Sequence, residues 1–445
     1  MRALVALMMT LIAFAGCADG SDDEPADPPV QTDGPGVFFE APGERPALAF
    51  REPVDLGSRA GVAGGAVPAG AFGTSCQDSL DDGDCGLGEP SIEVDGAGTI
   101  YISGVCCLTV SPPVYASRDG GETFQDMEGD TVREAFAVEG DFAIDEGGRM
   151  YFADIEVAAT FQMTVWEADG SYVRHTKWPA PPLVDRDWVR AEGDGIVYYV
   201  YNTGAMGTRV YKSTDAAATW SADAIHTVPY GLGNVAIDPL RELCVFGGNM
   251  DGFRSLDCST DGGATWTNEQ SEMPTGGGSY PVGAYDENGT LWLVDHRSVE
   301  GGGQEIFVTS RSIDGTWSNV TVISPPDGFH RMPWIAAGAD GAAAVAWYGK
   351  HGADSPDGDW HLYVAATKDG GARWDAVVAD PTPVFQGALG RDLLDFLQVD
   401  LGPDGAVHVA YSRNDGSGPD GNEERLIYVR SEPSPLAMDT FWLGP

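Results

Sequence analysis

Short apolar stretches separated by tight turns recur along this chain. Ile92 and Val94 are followed across an Asp-Gly turn by Ile100 and Ile102. The same pattern returns at Phe142 and Ile144 with Tyr151 and Phe152, at Trp188 and Val189 with Val197 and Tyr198, and at Val235 and Ile237 with Val245 and Phe246. It continues at Val282 and Tyr285 with Leu291 and Leu293, at Trp334 and Ile335 with Val345 and Trp347, and at Phe396 and Val399 with Val407 and Val409. Apolar residues at near-alternate positions, bounded by Gly and Asp, predict half-buried strands joined as hairpins.

A second pattern follows the first about once per copy. Ser117-Arg-Asp119-Gly120-Gly121-Glu-Thr123-Phe124 returns as Ser259-Thr-Asp261-Gly262-Gly263-Ala-Thr265-Trp266 and as Thr367-Lys-Asp369-Gly370-Gly371-Ala-Arg-Trp374. Looser copies centre on Asp169, Asp215 and Asp314, so the phrase Asp advances by 50, 46, 46, 53 and 55 residues. The Asp carboxylate bonds nearby backbone N–H groups and Gly supplies positive φ, which makes the phrase a strand-turn-strand corner. The closing Trp or Phe plugs the edge of the unit.

Two hairpins per period make four strands, and seven periods of four strands predict an all-β fold, a seven-bladed β-propeller. Radial repetition leaves only short, protected sheet edges. A six-bladed ring is the alternative. Two ways of closing the ring stay open: a strand drawn from residues 47–54 into the last blade, or a last blade completed by Phe441-Trp442-Leu443.

These phrases resemble the Asp-box (BNR) repeat propellers of the sialidase-like superfamily, over roughly residues 75 to 445. The resemblance implies that each Asp box joins the third and fourth strands of a blade, on the side away from the ligand. It therefore takes the most conspicuous Asp and Trp residues out of the list of functional candidates.

The N-terminus reads Met1-Arg2, then an apolar run over residues 3–14, then Ala15-Gly16-Cys17, a short secretory signal rather than a membrane span. Ala15-Gly16-Cys17 resembles the bacterial lipobox, which implies lipidation of Cys17, and Ala18 after it implies sorting to the outer membrane; plain secretion is the alternative. Residues 18–44 are acidic and Pro-rich at first and read as a disordered tether, leaving 45–445 as the propeller.

With Cys17 assigned, six cysteines remain, an even number that suits disulfides in an exported chain. Cys244 and Cys258 flank Asp251-Gly252 symmetrically and are expected to bond across a hairpin. Cys76, Cys85, Cys106 and Cys107 are expected to pair among themselves, in a pattern the spacing leaves open.

The 68 acidic residues against 25 basic ones give a net charge of −43, which excludes nucleic acid as a natural partner. The expected partners are a glycan or a cell-surface protein, with the membrane reached through the lipid anchor and the chain acting as a monomer.

Ligands of propellers bind where the segments leading into the innermost strands converge. Those segments hold Glu89, Asp141, Arg186 with Asp187, Tyr280, Arg331, and Arg391 with Asp395. Arginines of this kind pair bidentately with a carboxylate, and a nearby Asp serves as proton donor. Resemblance to sialidases implies an alternative, an exo-sialidase-like glycoside hydrolase in which Arg186, Arg331 and Arg391 grip the sugar acid, Tyr280 and Glu89 form the nucleophile, and Asp187 is the acid. The first segment offers Glu89-Pro90-Ser91 with no arginine, so the primary expectation is a non-catalytic binder. Two oxygen-rich loops, with Asp354, Asp357 and Asp359 in one and Asp415 and Asp420 in the other, suit Ca²⁺; solvated acidic loops are the plain alternative.

Overall fold

A computed structural model describes residues 37–38, 48–56, 87–106, 112–127, 137–156, 160–179, 184–202, 207–228, 233–240, 242–250, 252–274, 281–299, 302–326, 328–351, 358–389, 393, 396–414 and 425–432. Its strands form seven antiparallel sheets that succeed one another in chain order. The innermost strands are Leu87–Val94, Ala137–Ile144, Asp185–Glu192, Val235–Ile237, Val282–Tyr285, Gly328–Ala337 and Gln398–Leu401. Each touches the next, and the seventh touches the first, so the sheets close into a ring of seven blades and not six.

The N-terminal segment closes that ring. The seventh blade has three strands of its own, and its outer strand is Val54–Asp55, with Val54 opposite Tyr428 and Asp55 opposite Ile427. Backbone bonds Arg51 N–H to Arg430 O (2.9 Å), Leu56 N–H to Leu426 O (2.9 Å) and Glu432 N–H to Ala49 O (2.7 Å) extend the seam. Arg425 pairs with Asp55 at 2.7 Å beside it. Phe441, Trp442 and Leu443 lie outside the described residues. The sixth blade carries a fifth strand, Val37–Phe38, parallel to its outer edge.

The corner phrases fold as their chemistry predicts. Ser117 Oγ donates to Asp119 Oδ1 (2.8 Å) and accepts from Gly121 N–H (2.9 Å), and Asp119 accepts from Thr123 N–H (2.9 Å). The same set recurs at Ser213 with Asp215, Ser259 with Asp261 and Thr367 with Asp369. Gly121 is obligatory twice over: its φ is +86°, and a Cβ there would stand 2.3 Å from the Tyr428 ring. Phe124 fills the gap behind it, edge-on to Tyr428 at 5.1 Å.

Backbone bonds tie corners to first hairpins, as Ala216 N–H does to Gly195 O and Gly370 N–H to Gly341 O, so both sets of turns share one end of the ring. The segments entering the innermost strands therefore share the other end, called the loop face below. Cys244 and Cys258 are direct partners across the hairpin and are bonded, as the symmetric spacing predicts. Cys17, Cys76, Cys85 and Cys107 lie outside the described residues, and Cys106 is described only in its backbone.

Candidate functional site

On the loop face the innermost strands do not simply start. Strand pairing slips between Gly88 and Ser91, Ala137 and Gly140, Asp185 and Asp187, and Arg331 and Trp334. In three of these bulges a non-glycine residue is left-handed: Glu89 (φ 43°), Arg186 (φ 55°) and Met332 (φ 57°). Each stands two residues before an equivalent inward position, Ser91, Trp188 and Trp334, so the bulge is a repeated device for presenting side chains at the mouth. Such backbone costs on the order of 1 kcal/mol per residue, and a bulge that repeats this cost at one end points to use there.

Arg331 is the most informative of the expected residues. Its Nε donates to Gln304 Oε1 (3.0 Å) from the fifth blade, and its Nη1 donates to Leu389 O (3.2 Å). The guanidinium lies 5.6 Å from the Trp360 ring centroid. Among the described residues no carboxylate pairs with it, and burial pulls its pKa below the ordinary arginine value. Its loop-face neighbours behave otherwise: Arg254 pairs with Asp295 (2.7 Å), Arg297 with Glu305 (2.5 Å), and Arg413 with Asp380. The guanidinium is thus positioned by a side-chain amide, a backbone carbonyl and an aromatic face.

His296 belongs to the same corner. It is buried, and burial pushes its pKa down to about 4, with the positive charges of Arg331 and Arg254 acting in the same direction and Asp295 opposing. It therefore stays neutral at physiological pH. Its Nδ1 has no hydrogen-bond partner among the described residues.

Arg186 and Asp187 stand three blades away from Arg331, and both are buried, 4% exposed each. Burial, then the negative charges of Asp154 and Asp141, hold the Asp187 carboxyl well above the usual range, while Tyr199 donates to its Oδ2 at 3.1 Å. A carboxyl shifted this way keeps its proton to a higher pH than an exposed one. Glu89 is also buried, at 5% exposure.

Asp141 has another role. Its Oδ2 accepts from Val189 N–H (3.0 Å) and Arg190 Nη1 (2.9 Å), and its Oδ1 accepts from Gln398 Nε2 (3.2 Å). Gln398 Oε1 in turn accepts from Ile92 N–H (3.0 Å), and Asn234 exchanges two bonds with Gly283 between the fourth and fifth blades. These side chains occupy equivalent inner positions and tie blades together around the axis, Asp141 and Gln398 reaching across from the second blade to the seventh. One step deeper, Glu93 and Asp400 share the central channel with Arg190. Burial, then the charge of Asp400, holds Glu93 well above the usual range, and burial pushes Asp400 up to about 6.

Arg391, Tyr280 and Asp395 lie outside the described residues, as do Asp354, Asp357, Asp415 and Asp420. Asp359 is exposed and accepts from Gln386 Nε2 at 3.1 Å. Among the described residues, the sole group of three close metal-ligating side chains is Glu242 with Cys244 and Cys258, whose sulfurs are already bonded to each other. Sequence reasoning missed Gln304, His296 and the Leu389 carbonyl, because nothing in their local sequence marks them as neighbours of Arg331.

No protein-family model and no curated protein matches this chain. Among solved structures it is similar to the intramolecular trans-sialidase from Ruminococcus gnavus in complex with oseltamivir carboxylate, at 14% identity and TM-score 0.40 over 81% of this chain and 96% of that one. It is also similar to an ulvan lyase from a new family of polysaccharide lyase, bound to -[GlcA(1-4)Rha3S]-, at 12% identity and TM-score 0.44 over 77% and 93% of the two chains. A third is the SapL1 lectin in complex with alpha methyl fucoside, at 11% identity and TM-score 0.41 over 67% and 97%. Likeness at this level carries no argument about ligand or chemistry, and the propeller rests on the strand topology alone.

Proposed function

We propose that this protein is a sialidase-like Asp-box propeller, anchored to the bacterial cell envelope through a lipid on Cys17, that binds an acidic glycan through its loop face without turning it over. The observation that carries the reading is Arg331. Its guanidinium is oriented by Gln304 and the Leu389 carbonyl and backed by Trp360, and no described carboxylate takes it. A sugar carboxylate or sulfate supplies the anion, and the buried Trp360 ring holds the guanidinium in place from behind. The surrounding acidity would repel anionic ligands from afar but is screened beyond about 10 Å at 0.1 M salt. The anchor rests on Ala15-Gly16-Cys17 and the apolar run before it. Direct titration with sialylated and uronate-containing oligosaccharides, against their neutral counterparts, tests the binding: acidic ligands should bind, and Arg331→Ala should lose them.

A second reading keeps one observation in its favour, the Asp187 carboxyl whose pKa burial holds well above the usual range beside Tyr199. In an exo-sialidase-like hydrolase that group would protonate the departing oxygen. Release of a fluorophore from a sialoside by the purified protein, abolished in Asp187→Asn, would establish it. Absence of turnover leaves the binder.

A further inference from the structure

The end of the ring opposite the loop face also has a concavity with chemistry. A groove of about 650 Å³ lies between the fifth and sixth blades, against the corner turns. That volume is in the range of small-ligand sites, roughly 300–1,000 Å³. One wall holds Trp317 with Ser310 and Ser318, the floor holds Trp292 with Asp286, and Asp340 stands on the sixth-blade side.

Trp317 is a fixed platform. Its indole N–H donates to Glu269 Oε1 at 3.1 Å, which sets the plane of a half-buried ring. Trp292 is 3% exposed and wedged edge-on against Trp374 at 5.8 Å, yet its indole N–H has no acceptor among the described residues. Asp286 spends Oδ1 on the N–H groups of Asn288 (2.9 Å) and Thr290 (2.8 Å). Its Oδ2 makes no hydrogen bond to a described residue. Asp340 is left-handed at φ 54°, a backbone that an Asp or Asn tolerates better than most side chains.

The charge of the groove selects its ligand. Three carboxylates line it, from Asp286, Asp340 and Asp369, and among the described residues no Lys, Arg or His does. Uronates and sulfated sugars are therefore disfavoured. The carboxylates do not converge as a cation cage either, since no close group of three among the described residues includes any of them. What remains complementary is a ligand rich in hydroxyl groups, with apolar ring faces and no net charge.

We propose that this groove is a second carbohydrate site, separate from the loop face and specific for neutral oligosaccharides, with Trp317 stacking on a sugar ring and Asp286 and Asp340 bonding its hydroxyl groups. It does not depend on the loop-face reading. The test is a tryptophan-fluorescence and calorimetric titration of the full chain with cello-, xylo- and galacto-hexaose, and with a hexagalacturonate as the acidic control. At least one neutral hexaose should bind. Trp317→Ala should weaken that binding about tenfold or more, and Asp340→Asn, which keeps the left-handed residue, about threefold. Arg331→Ala should leave it unchanged. The inference is overturned if no neutral hexaose binds at millimolar concentration, if both groove variants bind as the parent does, or if Trp317→Ala removes hexagalacturonate binding instead. Should Trp317→Ala fail to fold, the Asp340→Asn result decides.

Discussion

At the corner end of the ring, Asp119, Asp215, Asp261 and Asp369 each gather the same set of bonds from a Ser or Thr two residues before and from backbone N–H groups after. At the loop end, Glu89, Arg186 and Met332 share a left-handed backbone and a register but no side-chain chemistry. Repetition at the first end is the signature of a structural part, made once per blade. Divergence at the second, on a conserved bulge geometry, is what a surface looks like when each blade contributes a different group to one mouth. Arg331 completes the contrast, because no described carboxylate pairs with it, whereas Arg254, Arg297 and Arg413 each meet one.

Both ends depend on a closed ring, so the largest effect should come from opening it. A chain starting at residue 57 lacks the strand opposite Tyr428 and Ile427. Chemical denaturation should show loss of a single cooperative transition and of most of a typical 5–15 kcal/mol stability. Next in size is the Cys244–Cys258 bond, which spans 14 residues. Replacing both cysteines by Ala should lower stability by about 3 kcal/mol without changing loop-face affinity.

A corner substitution should be smaller and should separate the two ends cleanly. Ser259→Ala removes the acceptor of Gly263 N–H and a donor to Asp261, and should cost about 1 kcal/mol in urea unfolding while leaving ligand binding alone. The corner also has a pH signature. Hydrogen bonding to Thr265 holds Asp261 down to about 2 from an ordinary 3.8. Its contribution is present above pH 3.8 and is lost as the pH falls towards 2.

The smallest expected effect has the opposite sign. Glu93 and Asp400 are held above the ordinary range by burial, so the folded ring keeps protons that the unfolded chain releases, and stability falls as the pH rises through about 6. Glu93→Gln removes a buried carboxyl that Asp400 repels. It should raise Tm by roughly 1–2 °C at pH 8 and by less at pH 5.

Much of the fold was legible because its determinants are local. Ser-x-Asp-Gly-Gly contains nearly all the groups that bond in a corner, and the spacing of Cys244 and Cys258 about one turn specifies their register. Closure was open because Val54 and Tyr428 meet only through the whole ring. The site was half legible for the same reason. Arg331 was named among the residues leading into the innermost strands, but Gln304 is 27 residues before it and the Leu389 carbonyl 58 after. Asp141 shows the converse: its position suggested a proton donor, and its bonds to Val189, Arg190 and Gln398 make it a tie between blades.

Calorimetric titration of an acidic oligosaccharide into the parent protein and into Arg331→Ala, with melting temperatures measured alongside, tests the central claim most directly. The account predicts binding in the parent, a loss of about tenfold to a hundredfold in the variant, and little change in Tm. Equal affinity in the two proteins, or binding of neutral and acidic ligands alike at the loop face, would contradict it.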